Sequence, residues 1–431
     1  MTMHHRGIQI ARLNKILLTG IMGGSAFGAV TAQPTVASES ENKDDLIRVV
    51  VSKIKKEVGT KTTLSASDLQ KEGGNDFGTI MRYQPLVSAT GKSGFDHGGY
   101  TGYNIRGLEA NRVSIDVDGV ELPNATGRSY VSRAGSGTFG IGRDYIDPYM
   151  YGGVGIDSGV TDVTRANQAI GGAVSFRPKS ADDYLSPTKS SYFGYQSDYD
   201  SANRGWHNGI TAAGDDEYLR GLIAISRRDG QETRNNSDSV KVAPANWHSN
   251  AFLASGSWQL AAGSWQLAAG SWQMNDNHLL TGTVDYYHKT NHTHYSAWNS
   301  AGSAVIGTNQ QTSQTRRWTA TLDDPWYPDV AWIDTIDTQV FYQNTEAHDW
   351  TYGPSTTGTS LVTTYSNYDS KSFGITSNME KEWGIHDVRW GIDARRSDTE
   401  RPFNQSPNQS SFDYIMQPEA NSTNENLGAF L

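Results

Sequence analysis

Beyond Ala181 the chain alternates. In Val388 to Arg395 the residues Val388, Trp390, Ile392 and Ala394 fall on one side of an extended backbone, and Arg389, Gly391, Asp393 and Arg395 on the other. The same period runs through Leu219 to Arg227, where Leu219, Gly221, Ile223 and Ile225 oppose Arg220, Leu222, Ala224 and Ser226. It recurs in Ile336 to Gln343, where Ile336, Thr338, Val340 and Tyr342 oppose Asp337, Gln339, Phe341 and Gln343. A helix would scatter these side chains around its axis, whereas a strand sorts them onto two faces. Two architectures meet the pattern. One is a transmembrane barrel with lipid outside and water inside; the other is a soluble β-sandwich.

Loop lengths separate the two. Gly214 to Glu217, Asn275 to His278 and Glu382 to Asp387 are short, whereas Asp229 to Ser249, Asn291 to Ser313, Trp350 to Ser366 and Glu400 to Thr423 are long and polar. A barrel with short periplasmic turns and long external loops requires this alternation. If Lys189 to Tyr199 rises from the periplasm, the long excursions are all extracellular. Tyr286, Tyr287, Trp318, Trp332, Trp350 and Trp383, near segment ends, are then expected in interfacial girdles.

Composition excludes several alternatives. The 431 residues include no Cys, so neither disulfides nor thiolate chemistry is available. Downstream of the N-terminus no apolar run is long enough for a membrane helix, which excludes a helical bundle but not a barrel. A net charge of −10 without a basic stripe argues against nucleic acid as a partner. Asp215-Asp216 and Asp323-Asp324 are carboxylate pairs in turns, with no placed nucleophile or metal cluster. No enzyme is expected, and no catalytic or metal-binding residue is assigned.

The first residues read as an export signal. His4, His5, Arg6, Arg12 and Lys15 precede a short apolar stretch, Ile16 to Val30, and Val30-Thr31-Ala32 suits a cleavage site. Residues 1–32 are the expected signal peptide, with Gln33 the mature start. A cytosolic amphipathic helix is the alternative, weakened by Gly20, Gly23, Gly24 and Gly28.

Tyr103-Asn104-Ile105-Arg106-Gly107-Leu108 and Asn111 to Gly119 read as two short strands joined by a polar turn. The wording YNIRGLEANRVSIDVDGVELP resembles the plug domain of TonB-dependent outer-membrane receptors, as do Gly159 to Val163 and Ala169 to Phe176. The resemblance implies an α+β plug domain (53–180) followed by the N-terminal part, about ten strands, of a transmembrane antiparallel β-barrel (181–431). Within the plug, Ser65 to Asp68 can cap a short helix, and Asp76 to Tyr83 suggests another. In the leader (33–52), Leu46, Ile47, Arg48, Val49, Val50 and Val51 correspond to the TonB box, which the TonB–ExbB–ExbD complex captures; the same residues can equally form the first plug strand. Arg106, Arg112, Asp116 and Asp118 are expected between plug and barrel wall, or else they solvate the turn.

Longer stretches narrow the resemblance. Phe139 to Met150, Phe176 to Tyr184, Asp285 to Tyr295 and Glu346 to Tyr352 resemble haem and haemophore receptors of the Has system (HasR-like). That family implies haem as a transported ligand, delivered by a haemophore or haemoglobin and gripped between a plug histidine and an extracellular-loop histidine. Carried onto this sequence, it points to His97 in the plug and to His292 and His294 on a predicted external loop, with Tyr100, Tyr103, Tyr295 and Trp298 near enough to stack on a porphyrin or to pack in the core. A ferric-siderophore receptor is the alternative within transport, and a non-transporting remnant or surface-binding protein the alternative outside it.

Plug-bearing barrels close with about 22 strands, and the sequence stops at Asn424 to Leu431, which reads as the interior of a strand. A truncated and inactive receptor is therefore expected. One repeat stands apart: Gly256 to Ala262 recurs at Gly263 to Ala269, and Gly270 to Gln273 begins a third copy. An odd period flips faces in a strand, so the extra copies are expected to bulge at a periplasmic turn.

Overall fold

The computed structural model describes residues 60–71, 73, 76–91, 100–125, 142–159, 169–216, 219–233, 244–259, 265–267, 270–272, 279–298, 304–328, 330–354, 361–406 and 421–431. The expected signal segment (1–32), the expected TonB-box residues (46–51) and His97 lie outside them.

The plug is built on a five-stranded sheet, in the order β1 (Thr60–Ser65), β6 (Tyr151–Ser158), β7 (Gly172–Pro178), β4 (Val113–Val117), β5 (Val120–Glu121). Only β4 and β7 run parallel. Every residue of β4 is buried, because this strand lies inside the plug and has no solvent face. Its core includes Ile105, Ile115, Val154, Val174 and Phe176. A short helix, α1 (Ala66–Lys71), opens with a capping box: Ser65 N and Oγ donate to Asp68 Oδ2, and Asp68 N donates to Ser65 Oγ. The second expected helix is a single 3-10 turn, Thr79–Met81, begun by Asp76 accepting from the amides of Gly78 and Thr79.

The two strands of the diagnostic segment do not pair with each other. β3 (Tyr100–Ile105) pairs with β2 (Val87–Gly91), while β4 joins the five-stranded sheet. Left-handed Arg106 (φ 53°) and Gly107 (φ 91°) redirect the chain between them. At Asp118 (φ 55°) and Gly119 (φ 77°) the backbone makes the kind of two-residue turn that an Asp-Gly hairpin favours, and here β4 does fold back on β5.

The second sheet is an antiparallel meander: β8 (Ser191–Asp200), β9 (Gly205–Asp215), β10 (Leu219–Gln231), β11 (Ala245–Gln259), β14 (Leu279–Trp298), β15 (Ala304–Trp326), β16 (Thr335–Pro354), β17 (Leu361–Trp383), β18 (His386–Glu400) and β20 (Ser422–Phe430). A short β19 (Phe403–Ser406) adds to β17. The upper end carries the turn 201–204, and the lower end carries the turn at Gly384. Strict long-short alternation does not hold. Much of the expected loops 291–313 and 350–366 is strand. Polar composition cannot tell a loop from a strand standing in water, which accounts for the misreading.

The faces sort as the alternation requires. In β9, Gly205, His207, Gly209, Thr211 and Ala213 are buried against the plug, while Trp206, Asn208, Ile210 and Ala212 point out. Ile223, Ile225, Val284, Trp318, Val340 and Phe373 share the exposed outer face. Tyr287 does not belong to that face: it is 4% exposed and packs in the core on the plug side. The repeat splits. Its first copy ends β11, where Trp258 pairs with Leu280 of β14, whereas the later copies pair with each other as a separate hairpin, β12 (Trp265–Leu267) with β13 (Gly270–Trp272).

Candidate functional site: the seam between plug and sheet

The plug meets the inner face of the large sheet along a polar seam, anchored at its upper end by Asp147. This residue precedes the 3-10 turn Pro148–Met150 and accepts from the Tyr149 amide. Its carboxylate is fully buried, lies 3.0 Å from the Arg228 guanidinium of β10, and accepts from Ser226 Oγ at 2.8 Å. Burial alone would raise its pKa, but Arg228, His207, the Tyr149 amide and Ser226 together hold it below the ordinary carboxylate value. Behind it, His207 of β9 places Nδ1 2.8 Å from Asp198 of β8 and Nε2 3.1 Å from Ser226 Oγ.

The resulting row Asp198–His207–Ser226 has the residue types of a hydrolytic triad but not its chemistry. Ser226 is 1% exposed and its hydroxyl is directed at Asp147, so it offers no nucleophile to a substrate. Counting donors gives a further condition. Asp198 takes a proton from Nδ1 and Ser226 gives its own to Asp147, so Nε2 must also donate; all three links need both imidazole nitrogens protonated. A cleft of about 60 Å³ lies beside this network, lined by Asp144, Asp147, His207, Arg228, Trp247 and Lys289. Lys289 Nζ reaches Asp144 across it at 3.0 Å.

Below, Tyr149 enters the wall where β9 has Gly209. A methyl group at that glycine would meet the ring at 2.5 Å, so the close approach depends on glycine. Lys179, just after β7, holds Nζ 3.4 Å from the centre of the same ring. Burial pulls this lysine down to about 8. At mid-height Arg317 of β15, fully buried, donates to Asp285 of β14 at 2.6 Å and to the hydroxyl of Tyr151 in the plug at 3.1 Å.

The lower end is built from different chemistry. Thr321 Oγ1 donates to Asp118 Oδ2 at 2.6 Å, and Gln339 Nε2 donates both to the Asp118 carbonyl and to Asp323. Burial, with Asp285 and Asp116 nearby, raises the Asp118 pKa. Farther along the sheet, Glu121 receives Arg395 of β18 at 2.7 Å, and burial raises it too. Arg143 sits wholly inside the plug, donates to the carbonyls of Val113 and Leu122, and is pulled by burial down to about 10.

Of the expected seam residues, Asp118 bonds to the large sheet. Asp116 is buried and accepts from Ser175 within the plug. Arg106 and Arg112 are exposed, and their backbone bonds run to Leu86 and Gly171 in the plug. His292 and His294 are in β14 and not in a loop, exposed on the face turned away from the plug; His292 bonds to Thr312 of β15. Tyr103 stacks on Phe77 with ring centres 4.3 Å apart and is 0% exposed, which leaves no face for a ligand. Asp147, Tyr149, Tyr151, Glu121, Lys179 and His207 were missed. The Asp147-Pro148 pair, a natural start for a tight turn, was the available signal for the first of these.

Residues 53–173 match the TonB-dependent Receptor Plug Domain. The chain is 32% identical over 172 residues to hemoglobin-haptoglobin utilization protein B of Neisseria meningitidis serogroup C, covering 39% of this chain and 21% of that protein. Lactoferrin-binding protein A of Neisseria meningitidis serogroup A is 30% identical over 236 residues, covering 52% of this chain and 24% of that one. The chain thus spans about a quarter of the length of these relatives. Among solved structures, the Serratia marcescens hemophore receptor HasR, in complex with its hemophore HasA and heme, superposes with a TM-score of 0.54 at 18% identity, over 81% of this chain and 46% of that one. The copper transporter OprC gives 0.57 at 12% identity, over 86% and 50%. At such identities the superpositions speak for the fold. Residues 53–173 thus carry a TonB-dependent receptor plug domain, and the ten-stranded antiparallel sheet that follows has the fold of part of such a receptor's barrel.

Proposed function

We propose that these residues belong to an outer-membrane receptor that takes up haem iron from a host haem protein or a haemophore, driven by TonB–ExbB–ExbD through the leader. The observation that carries this reading is the match to the hemoglobin-haptoglobin utilization proteins of Neisseria, at 32% and 30% identity. Haem is the transported ligand, not a resident cofactor, and His97 is its plug-side candidate. His292 and His294 face away from the plug, so the second axial ligand is assigned to residues other than these two.

Import itself is assigned to a closed barrel. The sheet of the described residues ends in β8 on one side and β20 on the other, and an unpaired strand edge is costly in lipid.

A second reading, uptake of iron from a non-haem carrier, is favoured by the matches to lactoferrin-binding protein A and transferrin-binding protein A at 30% and 28% identity. A test of both is binding of the detergent-extracted chain to immobilised haemoglobin, transferrin and lactoferrin. It is joined to growth of a host lacking haem receptors on each as sole iron source. Selective retention of haemoglobin is the expected result, with growth reporting whether the bound iron is also taken up; retention only of an iron-binding protein without haem would replace the haem reading by the second.

A further inference from the structure

On the outer face of the large sheet, above the aromatic residues Trp318 and Tyr342, three metal-ligand side chains converge. Glu346 and His348 stand two residues apart on β16 and so share a face, and Asp369 of β17 is directly opposite Glu346 in the register. One ligand atom from each of the three lies within 4.8 Å of the other two, and His348 Nε2 is 2.7 Å from Asp369 Oδ1. The side chains of His348 and Asp369 are 24% and 30% exposed, open to an ion from solvent yet partly enclosed.

Two carboxylates directly opposed on neighbouring strands repel each other. Arg316 of β15, 3.1 Å from Glu346 Oε2, answers one of them, while Asn344 donates to Oε1 of the same group. The local sum of Glu346, Asp369 and Arg316 is still one negative charge when the imidazole is neutral. Trp350 stands edge-on to the His348 ring, 6.3 Å away, and closes the upper side.

The geometry points to a binding site for a divalent transition metal of the zinc class at Glu346, His348 and Asp369. One imidazole and two carboxylates are ligands that zinc accepts, with metal–ligand distances of about 2.0–2.2 Å and a fourth position left for water. The ion replaces the His348–Asp369 hydrogen bond and neutralises the opposed carboxylates. The site faces away from the plug, so it is separate from the seam and independent of the transported ligand. The competing arrangement is a plain ion pair, with His348 protonated and no metal.

The experiment is calorimetric titration of the full chain, folded in detergent, with zinc chloride at pH 7.5, alongside His348→Gln, Asp369→Asn and, as a control, His386→Gln at the lower turn. The expected result is a saturable site holding one ion per chain, weakened about tenfold or more by either ligand substitution and unchanged in the control. Heat-modifiable migration of each variant on gels establishes that it is folded before it is scored. Absence of saturable binding, or equal affinity in folded His348→Gln, would overturn the proposal and leave the ion pair as the role of these residues.

Discussion

The two ends of the seam hold the plug in opposite ways. At the upper end a buried carboxylate, Asp147, meets a guanidinium, a hydroxyl and an amide, and every contact favours its ionised form. At the lower end Asp118 meets a hydroxyl and shares its surroundings with Asp116, Asp285 and Asp323, so burial and neighbours favour its neutral form. The same residue type in the same interface is thus a fastener in one place and a reserve of repulsion in the other. Neighbouring charge decides between them, since both are removed from solvent.

Removing the fastener is expected to do most harm. Asp147→Ala leaves Arg228, 11% exposed in its side chain, without its partner, and is predicted to lower unfolding free energy by about 3–5 kcal/mol in urea titrations of the folded protein in detergent. Next comes shape. Gly209→Ala drives a methyl group into the Tyr149 ring and is predicted to cost about 1–3 kcal/mol in the same assay, with easier proteolysis of the plug.

Asp118→Asn is predicted to change stability at pH 7 by less than about 1 kcal/mol, and in the stabilising direction. Its effect on pH dependence is more telling. A raised carboxyl pKa means that the folded state holds its proton longer, so stability falls as pH climbs from 3.8 through the raised value; Asp118→Asn should flatten that fall. Asp147 has the opposite sign: its contribution is full above 3.8 and is lost as pH drops through its depressed value, so Asp147→Ala should remove acid lability. Smallest of all is Arg396→Ala. Its partner Glu425 is 70% exposed, and a change below about 0.5 kcal/mol is expected.

The large sheet was legible because period two is a direct record of which face meets which medium. Ile223, Val340 and Ile392 all fall on the outer face, and Gln339 and Arg395 turn inward to the plug. The plug as a unit was legible through its wording. Its internal pairing was not, because β4 and β7 lie parallel across a separation of more than fifty residues that no local pattern encodes. The seam was read in only one of its ends. Asp118 stood in a conspicuous Asp-Gly turn, whereas Asp147, His207 and Ser226 come from three distant segments and acquire meaning only when folded together. His292 and His294 were misplaced for the reason that misplaced the loops: a strand rising into water has the composition of a loop.

All of this requires the plug to sit against the inner face of this sheet. The chain has no cysteine, so a pair introduced as Asp118→Cys and Thr321→Cys reports that contact without background. These residues are 203 positions apart, and their side chains touch at 2.6 Å. Mild oxidation of the folded, heat-modifiable protein should close a disulfide, seen as faster migration on a non-reducing gel that is reversed by reductant. Free thiols on both residues in the folded protein would contradict the seating of the plug and, with it, the contrast between the two ends of the seam.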